Sequence, residues 1–215
     1  MLERVIRRVQ MAKNLDETVL ATTDRPADDV TAAKGEELGV RVVRGPEDDV
    51  LDRFRQAAIE AAADHIVRVS ADSPFVDPEV IDHAIDIYSK SHADYASNKL
   101  NPSFPLGLDV EIFSRAALER AWTEAKEPFE RAHVTYFMYS NPAKFSLAPV
   151  TTDPDLHTWR WTVDTPADLE FARAVFSRLG GTKDFSWHDV VSLVTSEPGL
   201  AEINSHITAK PVTEG

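Results

Sequence analysis

Short β-branched runs recur along this chain, each separated from the next by a stretch whose apolar residues repeat at helical spacing. That alternation restricts the fold more than any other feature. The runs are ETVLATT (17–23), VRVVRG (40–45), HIVRVSAD (65–72), DYASN (94–98), LDVEIFS (108–114), KFSLAPV (144–150) and TWRWTVD (158–164). Helices are predicted over 26–38, 46–64, 78–91, 116–126, 129–139 and 166–179, with a last amphipathic one starting near Trp187. Another opens the chain, since Leu2, Val5, Ile6 and Val9 keep helical spacing with arginines between them. Pro26, Pro78 and Pro166 suit first helical positions, and Asp77 and Thr165 suit N-caps, Thr165 forming a capping box with Asp168 in the place of Glu. The pattern predicts an α/β fold with a mostly parallel sheet and helices on both faces. With no glycine-rich linker, low-complexity run or internal repeat, residues 1–204 read as one domain and 205–215 as a loose polar tail.

Charge narrows the partners. The 36 acidic and 23 basic residues leave a formal charge of −13, which repels phosphate backbones and argues against nucleic acid. The absence of cysteine excludes disulfides, thiolate nucleophiles and Cys-built zinc sites. Apolar runs such as 57–63 are short and broken by charge, so neither a membrane span nor a signal peptide is expected, and the chain reads as cytoplasmic.

In open α/β sheets ligands bind beyond the carboxyl ends of the strands. Two such ends carry aspartates, Asp72 after HIVRVSA and Asp164 after WRWTV, each just ahead of a helix. Because Asp77 and Thr165 already serve as caps, Asp72 and Asp164 are left without a local task. Two converging carboxylates suit Mg²⁺, which completes its shell with water and phosphate oxygens. Asp109 and Glu111 lie two apart, on one face of a predicted strand, either as a solvated face or as a polar binding pair. His133 lies three residues after Glu130 on a predicted helix, a spacing more typical of a structural pair than of a catalytic one. GxSxG, GxGxxG and the Walker loop are absent, which removes the warrant for hydrolase, dinucleotide and P-loop chemistry. TDPDL (152–156) is a weak hint of a metal-dependent glycosyltransferase.

Taken in order, ATTDRPADD, RGPEDDVLDRF, VRVSADSPFVDPEVID, FPLGLDVEIFS, ERAHVT and RWTVDTPADLE resemble the spore coat polysaccharide biosynthesis type of cytidylyltransferase, a relative of the CMP-sialic acid and CMP-Kdo synthetases. The resemblance implies a Rossmann-like nucleotidyltransferase three-layer sandwich, CTP as donor, Mg²⁺, and transfer of CMP to an acidic or modified sugar for cell-surface polysaccharide. It implies metal binding by Asp72 and Asp164 and a sugar-side role for Asp109, Glu111 and His133. Arg25, Arg44 and Arg53 fall within matched motifs and could face nucleotide or sugar anions, or simply pair with neighbouring carboxylates. The chain departs from the pattern in lacking the strand and phosphate loop resembling IIQARMGSTRLPGKVL, and in having Ala132 and Tyr136 beside His133. A sheet short of that central strand implies impaired turnover and a homodimer that covers the gap. The alternative is a non-catalytic nucleotide-sugar-fold binding protein.

Overall fold

Local caps set where the helices begin. The Asp77 side chain accepts from the Glu79 amide at 2.9 Å and starts α4 (Pro78–Ser91). Reciprocal Thr165 and Asp168 bonds form the predicted capping box of α8 (Pro166–Arg178), and Ser186 with Asp189 does the same for α9 (Trp187–Ser196). The structure, a computed structural model, describes residues 1–181 and 184–208. Its remaining helices are α1 (Leu2–Val9), α2 (Asp29–Glu37), α3 (Val50–Glu60), α5 (Arg115–Glu124), α6 (Pro128–Ala132), α7 (Tyr136–Tyr139) and α10 (Gly199–Glu202). The strands are β1 (Val19–Thr23), β2 (Arg41–Gly45), β3 (His65–Arg68), β4 (Tyr95–Ser97), β5 (Glu111–Ser114) and β6 (Leu147–Pro149). The residues expected to form a loose tail fall partly in 209–215, outside the described residues; Asn204, just before it, is buried.

The strands form two sheets. β1 and β2 pair in parallel, and a four-stranded sheet runs β3-β5-β4-β6. In that sheet β4 and β6 are parallel, while β5 runs antiparallel to both β3 and β4. Alternation along the strands divides its two faces. Ala96, Ile112 and Ala148 enter one apolar cluster with α1, α4, α8 and α9. Tyr95, Phe113 and Leu147 enter a second with residues of α3, α5 and α7. Helices therefore cover both faces, giving three layers. The first cluster is anchored by Phe75, which is fully buried and touches the rings of Trp161, Phe171, Phe176 and Phe185. Burying a ring of this size is worth about 1.5–3 kcal/mol.

Three predicted elements differ. HIVRVSAD pairs only over His65–Arg68, because β5 begins at Glu111 opposite Arg68 and the other edge of β3 has no strand beside it. TWRWTVD forms no strand: Arg160 makes one isolated bridge with Leu106, and the Trp161 and Thr162 amides both donate to the Leu106 carbonyl. The helix expected over 129–139 splits into α6 and α7, with Val134 between them at a φ of 54°, a strained value for a β-branched residue.

Between β1 and β3 lies a cavity of about 1330 Å³. Val19, Leu20 and Ala21 line it on one side, residues 65–72 on the other, and α1 and α3 cover it with Leu2, Val5, Ile6, Val9, Phe54, Ala57 and Ala58. The apolar residues of KFSLAPV and of the segment after Ser186 are used inside this copy: Ala148, Trp187, Val190, Val194 and Leu200 belong to its own core.

Candidate active site

Asp72 and Asp164 come from loops that one hydrogen bond joins, since the Val163 amide donates to the Asp72 carbonyl at 2.9 Å. Asp72 lies four residues past the last paired residue of β3, and Asp164 directly precedes the N-cap of α8. Each carboxylate has one side-chain donor: Ser73 Oγ at 2.9 Å on Asp72 Oδ1, and Arg160 Nη2 at 2.5 Å on Asp164 Oδ2. The other oxygens bond no side-chain donor, and Asp72 is half-buried and Asp164 exposed, a donor set of the kind taken by a hard cation that keeps several waters. Among the described residues no cluster of three or more acidic or histidine side chains could hold a metal.

Arg160 is fixed from behind. Its Nε and Nη2 donate to the two oxygens of buried Asp168 at 2.8 and 3.0 Å. Asn204 Nδ2 bonds both the Arg160 carbonyl and Asp168, each at 2.9 Å. Burial works against the Asp168 charge, but Arg160 first, then Asn204 and Thr165, hold it well below the usual carboxylate range. Gly107 lets this segment close: at a φ of +104°, a Cβ there would stand 2.5 Å from the Thr162 nitrogen.

Glu111 is 1% exposed and accepts from Arg68 Nη1, from the Tyr95 hydroxyl at 2.7 Å and from Thr135 Oγ1 at 2.5 Å. Burial opposes its charge, yet Arg68 above all, then Lys99 and the two hydroxyls, bring it below its ordinary value. Asp109 goes the other way. Burial pushes its carboxyl up from 3.8 to about 6, with Glu111 and Asp72 adding to the rise and Lys99 opposing it. Asp109 thus feels both Glu111 and Asp72, and it shares Arg68 and Lys99 with Glu111 as cations. The acidic pair is a half-buried polar cluster rather than a solvated strand face.

The remaining sequence candidates divide. Arg25, Arg44 and Arg53 gather at the carboxyl ends of β1 and β2, where Arg44 Nη2 donates to the Arg25 carbonyl at 2.8 Å. Arg25 pairs with Glu47, and Arg44 Nη1 with Asp29 at 2.7 Å, so the acid-rich neighbours take up both. Arg53 gives Nη1 to the Pro46 carbonyl at 3.0 Å, and burial lowers its pKa against the pull of Asp28, Asp24 and Glu47. His133 does not bond Glu130. Glu130 is consumed by the capping box of α6, accepting from the Lys126 and Glu127 amides, while His133 closes that helix with its Nε2 buried and unpartnered. In TDPDL, Asp155 is taken by His157 at 2.8 Å. Arg68, Lys99, Tyr95, Thr135 and Arg160 were not singled out from the sequence. The signal for Arg68 was present, as an arginine inside the apolar run HIVRV needs a buried carboxylate.

A family model described as Cytidylyltransferase matches residues 1–183. The chain belongs to the cytidylyltransferase family. Its relatives include Uncharacterized protein MJ1063 of Methanocaldococcus jannaschii, 33% identical over 99% of this chain and 87% of that protein. Spore coat polysaccharide biosynthesis protein SpsF of Bacillus subtilis is 30% identical over 94% of this chain and 85% of its own. Among solved structures, a cytidylyltransferase from Leptospira borgpetersenii superposes with a TM-score of 0.89 at 27% identity, covering 98% of this chain and 87% of that one. Like that structure, this cytidylyltransferase-family chain has the Rossmann-like nucleotidyltransferase fold. Among its described residues no helix is long and apolar enough to cross a membrane.

Proposed function

We propose that the chain transfers a cytidylyl group from CTP to an acidic or modified sugar destined for cell-surface polysaccharide. The observation that carries this reading is the junction of the Asp72 and Asp164 loops near the Asp109, Glu111, Arg68 and Lys99 cluster: two carboxylates past strand ends next to a polar group of paired charges. A sugar hydroxyl oxygen would attack the α-phosphorus of CTP, the bond to the β-phosphate oxygen would break, and pyrophosphate would leave as the hydroxyl proton is lost. Asp72 and Asp164 would hold Mg²⁺, whose chemistry is to neutralise phosphate oxygens. Asp109 and Glu111 would orient the sugar hydroxyls, with Arg68 and Lys99 facing its acidic group. His133, two residues before the Thr135 that bonds Glu111, would meet the sugar from that side.

In the proposed form, turnover by residues 1–215 is slow, because Arg25 and Arg44 are held by carboxylates and the sheet is open beside Arg53. The same arginine pairing favours the second reading, a non-catalytic binder. Pyrophosphate release from CTP with a panel of acidic sugars separates them. The enzyme reading expects sugar-dependent release that falls about a hundredfold or more in Asp72→Asn and Asp164→Asn. Binding of CMP-sugar by calorimetry with no release from any sugar would support the binder. The proposed setting is the cytoplasm and the proposed assembly a homodimer, favoured by the unpaired sheet edges. Sedimentation equilibrium at micromolar concentration reads the latter; a strict monomer overturns it.

A further inference from the structure

Arg160 is committed at one end of its guanidinium and open at the other. Nε and Nη2 donate side by side to Asp168 at 2.8 and 3.0 Å, and Nη2 also donates to Asp164 Oδ2 at 2.5 Å. Because the guanidinium is planar, the end that meets Asp164 also carries an Nη1 hydrogen pointing the same way. Among the described residues Nη1 bonds nothing, and it is not a nitrogen shut away from water. The Arg160 side chain is 9% exposed and that of Asp164 51%, so the surface Arg160 keeps lies toward this end.

We propose that Arg160 is a further substrate-binding residue, whose Nη1 donates to an oxygen of the CTP triphosphate beside Asp72 and Asp164. The inference rests on the CTP reading above and adds to it a cation that no sequence motif singled out. Three observations carry it. The fork cannot turn, because buried Asp168 also accepts from the Asp164 and Thr165 amides at 3.2 and 2.9 Å and from Thr165 Oγ1 at 2.9 Å. Its backbone is pinned on the same side of the molecule as Asp72: the Trp161 amide donates to the Leu106 carbonyl at 2.7 Å and the Val163 amide to that of Asp72 at 2.9 Å. The contact with Asp164 is half in water, where an ion pair adds little stability, so what it contributes is direction. A phosphate oxygen is the acceptor such a donor suits, since a charge-assisted bond from a fixed guanidinium is short and directional. The acidic group of the sugar is left to Arg68 and Lys99, on the Asp109 side. Asn204, which holds both the Arg160 carbonyl and Asp168, stands outside the residues 1–183 that the family model matches, so a segment beyond that match sets the position of this donor.

The test measures binding of CTP with magnesium by calorimetry and binding of cytidine, which has no phosphate, by saturation-transfer NMR. Arg160→Lys keeps a positive charge but not the planar fork, and is expected to weaken CTP about tenfold or more while cytidine binds as before. Asn204→Ala leaves every Arg160 donor in place and frees the fork to drift, so it should weaken CTP alone, by about threefold or more. It decides the matter if circular dichroism shows the lysine variant unfolded. Unchanged CTP affinity in the folded lysine variant, or in the alanine variant where that one decides, overturns the proposal. So does an equal loss of CTP and cytidine, which would make Arg160 a structural counter-ion to Asp168 and nothing more. Failure of the unaltered protein to bind CTP sinks the catalytic reading and this inference together, whereas CTP binding that both variants retain sinks this inference alone.

Discussion

Replacing Asp109 by Asn should make the protein more stable, by an amount that grows with pH. The native carboxyl keeps its proton up to about pH 6, whereas in the unfolded chain it ionises near 3.8. Between those values the folded state binds more protons than the unfolded one, so stability falls as pH rises through this window. Full expression of the shift of about two units costs the folded state about 1 kcal/mol at pH 4.5 and about 3 kcal/mol at pH 7.5. Asp109 is partly exposed, so these figures are ceilings. Asn keeps the shape and removes the charge. Urea unfolding of both proteins, compared at pH 4.5 and 7.5 with the slope held common, measures the difference. The variant should gain about 2 kcal/mol more at the higher pH than at the lower. An equal effect at both values, or a destabilised variant at pH 7.5, would refute the argument that burial of this carboxylate is the cause. A gain in stability with loss of sugar binding is the usual pattern at a functional residue.

Arg68→Met should destabilise by about 3 kcal/mol, since it leaves the Glu111 charge buried and unpaired, and adding Glu111→Gln should recover most of the loss in the same urea assay. Gly107→Ala should lower the thermal midpoint by several degrees, its cost being about 2 kcal/mol or more from the positive φ and the contact with the Trp161 and Thr162 backbone. Asn204→Ala should cost about 1–3 kcal/mol by removing a donor from buried Asp168, and should loosen residues 160–164 in hydrogen exchange; an unchanged exchange rate there would contradict the role assigned to Asn204.

The sequence determined whatever depends on neighbours a few residues apart. Asp77 caps α4 and Thr165 boxes with Asp168 because those bonds close within three residues. Alternating faces in YAS and EIFS sort apolar side chains wherever the strands pair, so the layered α/β class was legible, and the ordered motifs carried the family. Tertiary structure decided which charges meet. Arg68 and Glu111 are 43 residues apart and pair only because β3 and β5 lie side by side, which turns a possible solvated pair at Asp109 and Glu111 into one raised and one lowered carboxylate. Glu130 could serve His133 or its own helix start, and the break at Val134 gave it to the cap. The sheet was decided the same way. A strand's propensity does not say what stands at its edge, so the shortness of β3, the single bridge in the run at 158–164 and the slot between β1 and β3 follow only from where partners are present.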